Sequence, residues 1–206
     1  MMELYRRGAE AELRLAEWRG RKAVIKHRVP KGYRLAELDE RIRKQRMRAE
    51  VRLMASARKA GVSVPVIYDA DAANHKIIMQ YIEGPQAKEA IDTAVPAERE
   101  RLCRELGRCA GKLHRADIVH GDFTTSNVIV AGELFMIDFS MGELTPEAEK
   151  KAVDLHLLKE AFQSAHSAHM DCFEYVLEGY RSEYPDALKI EKVVAEVERR
   201  GRYHEH

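Results

Sequence analysis

Cysteine is scarce in this chain: Cys103, Cys109 and Cys172 are three residues among 206. They are too few and too badly spaced for a zinc site, and an odd number argues against a disulfide framework, so a reducing, cytoplasmic setting is expected. Long apolar runs are also missing. None approaches the roughly 18 residues of a membrane span, and the opening stretch MMELYRRGAEAELRLAEWRGRK carries a charge every few positions instead of a signal-peptide core. Neither export nor a membrane partner is expected. An excess of one charge sign is lacking too, with 35 Lys and Arg against 34 Asp and Glu and a net charge of +1. That balance excludes a surface that attracts polyanions everywhere, and any basic site must be local. What remains, 45% hydrophobic and 33% charged residues, is the composition of an ordinary globular protein, long enough for one compact domain or two small lobes.

The residues up to about Arg28 contain short β-prone pieces, AVIK (Ala23 to Lys26) being the clearest, and predict a small antiparallel sheet. From Leu35 to Ala60 there is no Pro or Gly, and Leu38, Ile42, Val51 and Met54 fall near helical spacing, which predicts a long charged helix ended by Gly61. VPVIYDAD and KIIMQYIEG predict two more strands, closed by Glu83-Gly84-Pro85. A lobe boundary is placed there. Beyond it, residues 97–115 read as helix, NVIV and LFMID as a hairpin around Ala131-Gly132-Glu133, and everything after Pro146 as helices. The expected fold is α+β in two lobes: residues 1–84 with the sheet and long helix, and residues 85–206, mainly helical, ending in a basic tail.

The chemistry concentrates in HGDFTTSNVIV, from His120 to Val130, and in the IDFSMG that follows. Two acids and an amide at the ends of hairpin strands can converge on one divalent ion, because Mg²⁺ takes oxygen ligands and draws the rest from water and phosphate. Asp122, Asn127 and Asp138 are those residues. The pattern HxDxxxxN, then a strand pair, then D-F-x resembles the catalytic and metal-binding loops of the protein-kinase superfamily. The resemblance implies ATP and Mg²⁺ as cofactors. It makes Asp122 the residue that orients the nucleophile or accepts its proton, and Asn127 and Asp138 the Mg²⁺ ligands. Lys26 takes the place of the lysine that meets the α- and β-phosphates, with Glu50 as its favoured ionic partner and Glu37 and Glu40 as alternatives. Gln80, Tyr81 and Ile82 belong to the hinge whose backbone pairs with adenine.

Departures narrow the resemblance. In place of G-x-G-x-x-G there is one glycine, Gly8, in Arg7-Gly8-Ala9-Glu10-Ala11, so the phosphate lid is built differently. Thr124 stands where a protein kinase has a catalytic-loop lysine, and Ser140 replaces the glycine after D-F. Between Asp138 and Asp154 there is no room for a full activation segment, so a peptide platform is missing. With AVIKHRVPKGYR, LDERIRKQRMRAEVRLM, HGDFTTSN and AVDLHLLKEAF, the chain resembles over nearly its whole length the small kinase-like subunit of the KEOPS complex, the Bud thirty-two or p53-related protein kinase family. This implies an atypical serine/threonine kinase and ATPase that works beside a threonylcarbamoyl transferase subunit and other KEOPS subunits, reaching tRNA through the complex to support threonylcarbamoyladenosine formation. The rivals are a RIO-like kinase in ribosome maturation, a small-molecule phosphotransferase and a nucleotide-binding pseudokinase. Two basic segments stay open. RIRKQRMRAEVR, from Arg41 to Arg52, is either a solvated helix face or a contact for tRNA phosphates or an acidic partner, and Arg199, Arg200 and Arg202 near the tail lean towards an interface role.

Overall fold

A computed structural model describes residues 3–7 and 11–202. Gly8 and the histidines His204 and His206 lie outside the described residues. The chain opens with β1 (Glu3–Arg7), β2 (Glu12–Trp18) and β3 (Arg21–His27), crosses through α1 (Ala36–Lys59), and returns in β4 (Ile67–Asp71) and β5 (Lys76–Gln80). These strands form one antiparallel sheet in the order β1-β2-β3-β5-β4. The β2–β3 register, from Glu12 opposite His27 to Trp18 opposite Arg21, leaves a two-residue turn at Arg19-Gly20. Both turn residues have positive φ, 49° and 77°, the backbone twist that suits a tight hairpin. Two-residue alternation along β3, continued one residue past its end, then puts Val24, Lys26 and Arg28 on the one face that lines the cleft described below.

α1 has few apolar residues, yet Met47, Leu53, Met54 and Ala57 recur on one side and are buried, with Glu50 among them. The remaining elements are α2 (Ala87–Thr93), α3 (Pro96–Arg115), β6 (Ile118–Val119), a hairpin of β7 (Val128–Ala131) and β8 (Glu133–Met136), β9 (Glu143–Leu144), α4 (Ala148–Ala165), α5 (Phe173–Glu183) and α6 (Ala187–Arg202). Pro96 sits in the first turn of α3, where its missing N–H costs nothing. α2 was not expected from the sequence. It is only seven residues long and has no side-chain cap, so nothing local announces it.

α3 and α5 cross at very short range through glycine. A Cβ on Gly107 would stand 1.8 Å from the Val176 carbonyl oxygen, and one on Gly179 would stand 2.0 Å from that of Arg104. One apolar cluster runs from Met47, Leu53 and Met54 through Leu102, Leu106 and Phe139 to Phe162, Tyr180 and Ile190, tying the sheet-and-helix part to the helical part. The cysteines are free and buried, and burial pushes the Cys103 and Cys109 thiols up to about 12, so neither is a nucleophile at neutral pH. Among the described residues no helix is long and apolar enough to cross a membrane.

Candidate active site

The cleft of about 390 Å³ lies between β3 and the loops around the β7–β8 hairpin. Its charged end is built from four separate parts of the chain. The Lys26 ammonium donates to Glu50 Oε1 at 2.5 Å and to Asp138 Oδ1 at 2.7 Å. Burial works towards a neutral Lys26, but the facing carboxylates of Glu50 and Asp138 outweigh it and raise its pKa above the ordinary lysine value. The second oxygen of Glu50 accepts from Arg28 Nη2 at 2.7 Å. Glu50 therefore divides its two oxygens between two buried cations. Glu37 and Glu40, the alternatives, are exposed on the first turns of α1.

Opposite this cluster is the loop between β6 and β7, tied down by buried polar groups. Asp154, fully buried in α4, accepts from the backbone N–H of His120 at 2.6 Å and of Gly121 at 2.8 Å, and His114 Nε2 lies 3.3 Å from the same carboxylate. The His120 ring is fully buried beside Phe139, with centroids 4.6 Å apart. Its Nε2 is 3.0 Å from the Ile137 carbonyl and its Nδ1 is 3.3 Å from the Asp122 N–H. One donor and one acceptor on the ring match the neutral imidazole, and burial lowers the pKa of His120 accordingly. Gly121 has φ of 78° and would place a Cβ 2.2 Å from the Met141 carbonyl oxygen, so a side chain there is excluded. A second tie comes from the far side: His166 bridges Asp92, at 2.5 Å, and the buried Thr125, at 3.0 Å.

The loop so fixed presents Asp122, which is exposed, and Asn127. Asn127 Nδ2 donates to Asp122 Oδ2 at 2.8 Å and to its carbonyl at 2.9 Å, which leaves the amide oxygen for another partner. Asp138 follows β8 with φ of 62°, an uncommon left-handed conformation for a residue with a side chain. Lys26 and both the N–H and hydroxyl of Ser140 donate to Oδ1 of Asp138, the hydroxyl at 2.6 Å. Burial opposes ionisation of this carboxyl, but the Lys26 charge and the bonds from Lys26 and Ser140 prevail and hold it down at about 2. The Asp138 side chain is still 43% exposed, so an ion can reach it. Among the described residues no three His, Cys, Asp or Glu side chains cluster to hold a metal by themselves. The Asp138 carboxylate and the free amide oxygen of Asn127 fit an ion that completes its shell with water and phosphate.

The rest of the cleft is apolar. Leu13, Val24, Met79, Ile82, Ile129 and Ile137 line it, with Gln80, the last residue of β5, and Tyr81 just after it. Sequence reasoning did not reach Arg28, Asp154 or His166. Arg28 could have been found by its two-residue spacing from Lys26 on β3, and Asp154 stood inside AVDLHLLKEAF without an assigned role.

A model of the RIO domain matches residues 17–175. The chain belongs to the RIO domain family. It is 42% identical to the KEOPS complex subunit Bud32 of Pyrococcus abyssi, over 99% of this chain and 97% of that one. It is also 42% identical to a probable bifunctional tRNA threonylcarbamoyladenosine biosynthesis protein of Methanosarcina barkeri, covering 98% of this chain but only 36% of that longer protein. Among solved structures, the Rio2 kinase–ADP/Mg²⁺–phosphoaspartate complex of Chaetomium thermophilum superposes with a TM-score of 0.61 at 18% identity, covering 98% of this chain and 72% of that one. WaaP in complex with acyl carrier protein gives 0.67 at 15% identity, over 98% and 88%. At such identities these two speak for the kinase-like fold alone.

Proposed function

We propose that this chain is an atypical kinase-fold enzyme that uses ATP with Mg²⁺, acting as the ATPase subunit of a KEOPS-type assembly that supports threonylcarbamoyladenosine modification of tRNA. Residues 1–84 are read as its N-terminal lobe and residues 85–206 as its C-terminal lobe. One observation carries the reading: Lys26, Glu50, Asp138 and the Asp122–Asn127 pair, from distant parts of the chain, line one cleft whose remainder is apolar. The near full-length likeness to a KEOPS subunit supplies the biological setting.

In this reading the apolar walls hold the purine, with backbone groups of Gln80, Tyr81 and Ile82 along its edge. Lys26 would turn from Asp138 to the phosphates, and Asp138 and the amide oxygen of Asn127 would hold Mg²⁺, whose charge would neutralise that of the phosphates. Asp122, bonded to Asn127 and set on a fixed loop, orients water or a hydroxyl and accepts its proton as the new O–P bond forms and the bond to the leaving phosphate breaks. Gly8, outside the described residues, belongs to the segment proposed to cover the phosphates. From Asp138 to the start of α4 at Ala148 the chain holds only a turn and β9. That leaves little platform for a peptide and favours water as the acceptor. The threonylcarbamoyl transferase subunit is the proposed partner, and the cytoplasm the proposed setting.

The test is phosphate release from ATP, alone and with a matching transferase subunit plus tRNA, for the wild type, Asp138→Ala and Asp122→Ala. The reading expects release that rises on adding the partner and is lost in both variants. Wild-type protein that releases no phosphate under any of these conditions would sink it.

A further inference from the structure

Six residues between Arg41 and Arg52 are basic, and the structure divides them. Arg43 is engaged by Asp39, at 2.6 Å, and also reaches the Arg28 carbonyl. Arg46 has a partner as well. The other four, Arg41, Lys44, Arg48 and Arg52, line one open groove of about 630 Å³ between α1 and β4. None of these four makes an ion pair among the described residues, and Arg41, Arg48 and Arg52 are exposed. Their spacing places them within an arc of about 80° on the helix, and Glu50 lies about 180° from Arg41 on the same wheel. The groove is thus on the side of α1 turned away from the cleft.

We propose that this groove is a direct binding site for the phosphate backbone of folded RNA. The proposal rests on the reading of the chain as a tRNA-modification subunit and adds that this chain itself grips the RNA. Three features favour an RNA backbone over an acidic protein segment. The four cations run along twelve residues of helix, about 16 Å from first to last, a row that several consecutive phosphates of one strand can follow. Three of them are arginines, whose planar forks pair with phosphate oxygens two at a time. Between the cations the lining is Gln45, Ala70, Ala72, the half-buried Val51 and the buried Met47, with no aromatic side chain of the kind that anchors protein partners. Because the net charge of the whole chain is only +1, attraction for RNA has to come from such a local row.

The experiment titrates an unmodified tRNA transcript with the full chain at several salt concentrations, comparing the wild type with a triple variant carrying Arg41→Glu, Arg48→Glu and Arg52→Glu. The expected result is at least a tenfold loss of affinity near 0.1 M salt and a log–log salt slope flatter by about 2–3, one counterion for each lost phosphate contact. ATP hydrolysis measured without RNA stays at the wild-type rate, since none of the three residues lines the cleft. If the glutamates unfold the helix, the triple glutamine variant carries the test, with a smaller loss in the same direction. Unchanged affinity and slope in the folded variant overturns the proposal, and so does wild-type protein that fails to bind the transcript at low salt. A variant that loses a protein partner while keeping its RNA affinity also overturns it, in favour of an acidic protein. Binding that holds in a chain without ATP turnover would keep this proposal and sink the reading it started from.

Discussion

The two sides of the cleft are fixed by different physics. On the β6–β7 side, Asp154, His120 and His166 satisfy backbone and hydroxyl groups in buried surroundings, and the His120 ring is neutral. On the β3–α1 side the parts are held by full charges: Lys26 and Arg28 on Glu50, and Lys26 again on Asp138. On the proposed reading, a polyphosphate with its ion would compete for Lys26 and Asp138 in the second set and for none in the first. The difference is that the loop carrying Asp122 is held by groups that face no ligand, whereas on the proposed reading the Lys26–Asp138 contact is the pairing that a phosphate ligand would replace.

The largest test of this contrast is Asp154→Ala. It leaves the buried His120 N–H and the part-buried Gly121 N–H without their acceptor, and the expected cost is about 3–5 kcal/mol of stability, from two stranded donors at about 1–3 kcal/mol each. Urea unfolding measures it, and ATP turnover falls with it. A loss under about 1 kcal/mol would mean that the loop is not held in this way.

Next comes Asp138→Asn, where the contrast predicts a large effect on turnover and a small one on folding. Turnover is expected to fall about 100-fold or more, as when a preorganised electrostatic group is removed. Stability falls by less than about 1 kcal/mol, because the side chain is partly exposed and its ion pair is screened. The sign with pH is fixed. The folded carboxyl sits at about 2, below its ordinary value of 3.8, so its stabilising contribution is complete above that ordinary value and fades as pH falls towards 2. Melting curves of both proteins should therefore differ at neutral pH and converge between about pH 4 and pH 2. Parallel curves across that range would break the assignment.

The smallest effect is expected for Ser140→Gly. It removes the hydroxyl bond to Asp138 and returns conformational freedom to the turn, at a cost of about 0.5 kcal/mol and with little change in turnover. Amide exchange at Met141 and Gly142 should speed up while exchange at His120 and Gly121 is unchanged. Equal acceleration at both places would erase the difference between the two sides.

How much of this was legible follows from how local each signal is. HGDFTTSN and IDFSMG could be read because one hairpin brings Asp122, Asn127 and Asp138 together, and the spacing is written in consecutive residues. The Lys26–Glu50 pair was an expectation from the kinase resemblance, with Glu37 and Glu40 as alternatives, and the helix face that is buried selects Glu50. Arg28 was missed because its partner depends on which face of β3 turns towards α1, a property of the whole sheet. Asp154 was missed because what it holds is backbone, and backbone N–H groups leave no mark in a sequence. The Arg41–Arg52 run was ambiguous for a related reason: which cations remain unpaired depends on Asp39, a buried carboxylate that engages Arg34 and Arg43. Arg200 is similar, since its pairing with Glu149 at 2.9 Å occupies within the chain a charge that the sequence leaned towards giving to an interface.

α1 has one further consequence. It is an unbroken helix of 24 residues, and the carboxylate that holds Lys26 projects from its middle. Such a helix moves as a beam: a tilt imposed at its solvent side is delivered to Glu50 without any loop to absorb it. With only a turn and β9 between Asp138 and α4, an outside load on this helix would, on the proposed reading, reach the nucleotide site through Glu50 and Lys26.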